Sequence, residues 1–229
     1  HPIHNPHPVN YERAVALAEE SCAIRTTPNA LDILLRALLA QTFDDSKISA
    51  AQSAKNKVEI IRREIQLKAK CDTNKLSFHT MRLVDRLEKE AYERVEKNQL
   101  PYGALDLSEP IHIIETAYLQ TGENILLSRK WDLMLRTEVN RDWRRLHTES
   151  SNYLDDKNLN RTFRGVAARI RILTFDLNDV MGAKQAYVEL DKHTASGSIP
   201  RQAAKEIRRK LDQGTRLTSS RMLTRVIED

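Results

Sequence analysis

Two arginine-rich stretches carry most of the chemistry that the residue types allow. Residues 200–227 hold Arg201, Lys205, Arg208, Arg209, Lys210, Arg216, Arg221 and Arg225 against only Glu206 and Asp212. A guanidinium grips a carboxylate or a phosphate at two points, which a lysine cannot do. Such a stretch contacts an acidic protein surface or a nucleic-acid backbone, whose neutralisation releases counterions, or else is an ordinary solvated face. A second group, Arg161, Arg164, Arg169 and Arg171, is set into the run RTFRGVAARIRILTFDLNDVMG at 161–182. Helical spacing turns Arg164 and Arg171 away from the apolar stripe and lays Arg169 beside it. Arg201, Lys205, Arg208, Arg209, Lys210, Arg216, Arg164 and Arg171 are therefore the candidate contacts to a polyanion or an acidic partner.

Other chemistry is sparse. NRDWRRLH at 140–147 surrounds Trp143 with arginines, as a base-stacking site does, but Trp143 shares a helical stripe with Val139 and Leu146. We read it as a core residue, with Arg145 paired to Asp142 or Glu149. Glu109 and His112 have metal-ligand spacing only once, and His1, His4 and His7 lie in a Pro-rich arm, so no metal or cofactor is expected. Cys71 sits near Lys68 and Lys70, which favour a thiolate, but no histidine is near it in sequence. Neither a G-x-S-x-G elbow nor a glycine-rich phosphate loop occurs. The reading is non-catalytic, with a hidden enzyme site as the third choice.

The bulk composition places these residues on helices. The 229 residues are 40% hydrophobic and 30% charged, which suits a folded chain. Only 5% are aromatic, with six glycines and seven prolines, too few for an all-β fold. The net charge of +5 lies wholly after residue 110, and 23 of the 37 basic residues are arginine. Two cysteines make no disulfide framework and imply a reducing compartment: cytoplasm, nucleus or organelle matrix. No run is long enough to span a membrane. The chain does not start with Met, so we expect a fragment or a processed form, its targeting peptide removed.

The spacing of apolar residues predicts an all-α, multi-helix bundle of about eight to ten helices in antiparallel hairpins, without solenoid repeats. The expected order is an arm at 1–9, an N-terminal bundle at 10–100, a linker at 101–108 and a C-terminal bundle at 109–229 with the basic tail 200–227. Asn10 caps a helix at 11–24, and 30–41 is apolar nearly all round. A helix at 46–70 carries the stripe Ala51, Ala54, Val58, Ile61, Ile65. Ser77 caps the next at 78–98, and the two form a hairpin. Helices follow at 109–121 and 123–148, the latter broken by TESSNYLDDKN. The arginine stretch continues as one helix to about 192, HTASGSIP is a loop, and short helices cover 200–212 and 216–227. The motif helix–Gly214–helix is similar to a helix-turn-helix, with Lys210 where that motif has a small residue.

The expected function is a helical scaffold or assembly subunit that docks on an acidic protein partner. The alternative is a protein that binds DNA or RNA through 200–227.

Overall fold

The computed structural model describes residues 10–44, 48–71, 77–101, 103–154 and 161–213. Among them the chain is all helical, with ten α-helices and no strand. These are α1 (Tyr11–Ile24), α2 (Pro28–Thr42), α3 (Ala50–Lys70), α4 (Phe78–Lys97), α5 (Ser108–Thr121), α6 (Asn124–Arg136), α7 (Trp143–Leu154), α8 (Arg161–Thr174), α9 (Val180–Ala195) and α10 (Arg201–Asp212). The helix-bundle expectation holds. The expected helix at 216–227 lies outside the described residues.

The chain forms two compact units, His1–Leu87 with Thr116–Glu123, and Glu88–Glu115 with Asn124–Asp229. The division falls inside α4 and α5. Residues 101–108, expected as a linker, belong to the second unit and are anchored there. The Glu138 carboxylate accepts from the backbone N–H groups of Gly103 and Leu105 at 2.9 and 3.1 Å. Leu105 and Leu107 are buried, an apolar content that a solvated linker would lack.

In the first unit, α1 packs on α2 and α2 on α3. Asn10 caps α1 as expected, accepting from the Arg13 N–H at 3.0 Å. Thr27 caps α2, with Pro28 in its first turn, where a missing N–H costs nothing. Leu31, Leu34, Leu35 and Leu38 are buried, but Ile33 is 59% exposed, so α2 has one wet side after all.

The α3 face differs from expectation. Val58 is 65% exposed, and the buried positions are Asn56, Ile60, Ile61 and Glu64. That face is rotated by roughly a third of a turn from the apolar stripe. Two polar residues claim it because their hydrogen bonds lie there. The Asn56 amide donates to Gln41 Oε1 at 2.9 Å. Glu64 caps α4 from outside: its carboxylate accepts from the backbone N–H groups of His79 and Thr80 at 2.7 and 2.8 Å, and from the Thr80 hydroxyl at 2.5 Å. Ser77 is therefore not the cap. It sits at φ 40°, and its hydroxyl donates to Glu123 at 2.9 Å. Among the described residues the end of α3 meets the start of α4 through this cap, and α2 packs along α3.

In the second unit α8 is the central element, touching α6, α7 and α9, while α10 packs on α9. Two expected continuous helices are interrupted. Between α6 and α7, Glu138 and Val139 turn their N–H groups to the Leu105 carbonyl, and Asn140 adopts φ 53°. The following helix then runs through TESSNYL, which was expected to break it. This break separates the two tryptophans. Trp131 is completely buried, against Phe163 at 5.7 Å and Tyr153 at 5.5 Å between ring centroids. Trp143, expected in the core, is half-buried with the Arg141 guanidinium over its ring at 5.0 Å.

Between α8 and α9, Asp179 caps the new helix by accepting from the N–H groups of Met181 and Gly182 at 3.4 and 3.0 Å. Val180, placed on the apolar stripe by its spacing, is exposed. Asp179→Ala should cost about 1 kcal/mol, read as a shift in the urea midpoint, because it removes only a cap.

Residues 163–170 of α8 are buried except for Arg164, so the stretch is no simple amphipathic surface helix. Gly165 permits this. A Cβ there would lie 2.1 Å from the Ser198 carbonyl oxygen, so α8 and the loop after α9 touch backbone to side-chain-free backbone.

Candidate functional site

α10 positions the basic tail. Ala204, Ile207 and Leu211 fall at i, i+3 and i+7, and they lock one side of α10 into a core shared with Ile172, Ala186, Leu190 and Ile199. The opposite side is fixed outward by that burial. Arg201, Lys205, Arg208 and Arg209 are all exposed there, as is Asp212. Arg201, Lys205 and Arg209 are spaced by four residues, so about 6 Å of helix rise separates each from the next.

These cations are not equivalent. Arg208 is ion-paired with Asp191 of α9, and its guanidinium lies 5.7 Å from the centre of the Tyr187 ring. The Tyr187 hydroxyl donates to Asp212 at 2.6 Å, and this bond, with burial, raises the phenol above its ordinary pKa. Arg208 thus helps to hold α10 against α9. Arg201, Lys205 and Arg209 have no such ion pair among the described residues. Lys210 is half-buried beside the core side. Arg216 lies outside the described residues.

The two candidates on α8 behave differently again. Arg164 is half-buried, not on an open solvent face. Arg171 donates to Glu189 of α9 at 2.5 Å and sits 5.9 Å from the Phe175 ring centre. Its charge is felt by two histidines: burial, and then Arg171, lower the pKa of His147, and burial with Lys192 and Arg171 lowers that of His193. Arg169 is buried, and desolvation pulls its guanidinium down to about 10 against the attraction of Glu206. Arg164, Arg169 and Arg171 are thus embedded in packing, and among the described candidate residues the cations on the exposed surface are those of α10.

The expected pairing of Arg145 with Glu149 is present at 2.8 Å, but it is one edge of the first of two charge networks in the second unit whose remaining members sequence reasoning missed. Lys130, itself buried, donates to Glu115 and Glu149 at 2.8 and 2.9 Å, and Arg145 pairs with the same two carboxylates. Burial of Glu149 opposes its charge, but the bonds from Lys130, Arg145 and Trp131 outweigh that and hold its carboxyl below the usual range. Arg129 and Arg136 likewise share Glu88 and Asp132. Each network carries two positive and two negative groups, so it is internally neutral and offers no net attraction to a polyanion. The signal was present in SRKWDLMLR, where four charges fall within an apolar helix.

Among the described residues no group of three or more His, Cys, Asp or Glu side chains is placed to hold a metal ion. No described helix is long and apolar enough to cross a membrane. No protein-family model matches the chain, and no curated protein and no solved structure matches it either.

Proposed function

We propose that this chain is a non-catalytic helical scaffold or assembly subunit that docks on an acidic protein partner through α10. The observation that carries the reading is the row Arg201, Lys205, Arg209, held outward on a helix whose other side is buried. Pre-positioned cations lose little freedom when they meet carboxylates, which favours binding. The free thiols Cys22 and Cys71 suit a reducing intracellular compartment.

A nucleic-acid ligand is the second reading, favoured by the excess of basic residues across 200–227. Arg208 is already neutralised by Asp191, which interrupts a continuous phosphate track and leaves the discrete cations Arg201, Lys205 and Arg209.

The triple variant Arg201→Gln, Lys205→Gln, Arg209→Gln tests this. Gln keeps helix propensity, so circular dichroism should not change. At about 0.15 M salt, where exposed charges more than about 8 Å apart are screened, the wild-type chain should bind a helical Glu-rich peptide more tightly than a random DNA duplex of equal charge. The triple variant should lose most of the peptide affinity. Tighter binding to the duplex, with a steep salt slope that the variant flattens, would move the function to nucleic acid.

A further inference from the structure

Ala51, Ala54 and Val58 of α3 repeat at the three-four spacing by which a helix buries one side against a neighbour. Because Asn56 and Glu64 take the buried face of that helix, all three stay exposed, Val58 by 65%. Ala54 and Val58 are not scattered on open surface. They line a cavity of about 1280 Å³ between α1, the end of α2 and the first half of α3. That volume exceeds the roughly 300–1,000 Å³ of sites for small organic molecules.

The walls suit a further helix. Val15 of α1 and Leu38 of α2 line the same cavity, with Ile48 just before α3. A gap between helices whose apolar side chains stand three and four residues apart is the groove into which the ridge of another helix fits. The side-chain amides at the groove bond one another. Gln52 donates to Asn56 Oδ1 at 3.0 Å, and Asn56 donates to Gln41 Oε1 at 2.9 Å. Selection among helices therefore falls to the charges. Glu12, Glu19, Asp44 and Glu59 line the groove, against Lys55 among the described residues. Glu59 also pairs with Arg62 and Arg63. Glu12 and Glu19 are exposed and seven residues apart, on one side of α1.

We infer that this groove docks a basic amphipathic helix of a partner protein, its apolar side on Ala54 and Val58 and its lysines or arginines toward Glu12 and Glu19. An acidic helix would meet like charge there. A basic segment without an apolar side would leave Val58 in water. The chemistry is opposite to that read for α10 and does not rest on it.

Three labelled peptides of about 14 residues, close to four turns, test this by fluorescence anisotropy on the full chain. One sets leucines along one side of a lysine-rich helix, one scrambles that composition so that the stripe is lost, and one carries glutamate in place of lysine. At about 0.15 M salt the first should bind at least about tenfold more tightly than either other peptide. Ala54→Gln with Val58→Gln removes the apolar contact without changing charge, and should weaken that binding by about tenfold. Glu12→Gln with Glu19→Gln should weaken it by roughly threefold or more and reduce its salt dependence. All four positions are exposed, so circular dichroism should show both variants folded. The inference is overturned if the scrambled or the acidic peptide binds as well as the first, or if either folded variant binds like the wild type. Sedimentation adds one further outcome. A wild-type dimer that Ala54→Gln with Val58→Gln converts to monomer would give the groove to a second copy of this chain and overturn the inference as well. Should a variant not fold, the three peptides on the wild-type chain decide alone.

Discussion

Glu64→Ala unfolds at a markedly lower urea concentration than the wild-type chain, with a loss of about 3–5 kcal/mol, the sum of two or three buried donors left without an acceptor. The carboxylate is 3% exposed and receives three hydrogen bonds from His79 and Thr80. Two of those donors are first-turn amides of α4, which have no partner inside their own helix. Glu64→Gln keeps one acceptor oxygen and should cost about half as much, since its NH₂ faces a donor instead. Thr80→Val removes only the hydroxyl and should cost about 1 kcal/mol. Equal losses in the three variants would mean that packing volume, not capping, is what Glu64 contributes.

Gly165→Ala is the second large effect. In an exposed helix this change gains up to about 1 kcal/mol, since alanine is the better helix former. Here the new methyl would stand 2.1 Å from the Ser198 carbonyl oxygen, well inside contact distance. The obstacle is backbone, so no rotamer change relieves it. We expect a net loss of about 3 kcal/mol, the upper part of the range for overpacking a filled core. The thermal midpoint checks the sign: a variant more stable than wild type would show that the loop yields freely.

The helices were legible because most follow apolar spacing with local punctuation. Asn10 marks a start that the structure confirms, and the expected end at 121 is followed by Gly122 at φ 68°. The errors arose where a polar side chain overrode the pattern. Asn56 and Glu64 took the buried face of α3 because their partners lay 15 residues away, at Gln41 and His79, and spacing carries no information about such partners. The breaks before α7 and α9 share this cause: Leu105 receives the freed amides of Glu138 and Val139, and Asp179 caps a helix that apolar spacing alone runs on into. Of the candidate residues, Arg201, Lys205 and Arg209 could be placed from the sequence because α10 has one narrow apolar stripe, Ala204, Ile207 and Leu211, and they lie off it. The commitment of Arg208 to Asp191 and of Arg171 to Glu189 depends on how α9 lies, which neither helix encodes by itself.

The contact at Gly165 has a practical side. Residues 196–200, Ser-Gly-Ser-Ile-Pro, look like the obvious place to insert a tag, a fluorophore or new chain ends, being short, small and polar. Yet the carbonyl of Ser198 rests on α8, Ile199 is fully buried, and the Ile199 N–H is bonded to His193 at 3.0 Å. An insertion there would lever α10 off the core that orients its cations. Labels for following the protein belong elsewhere.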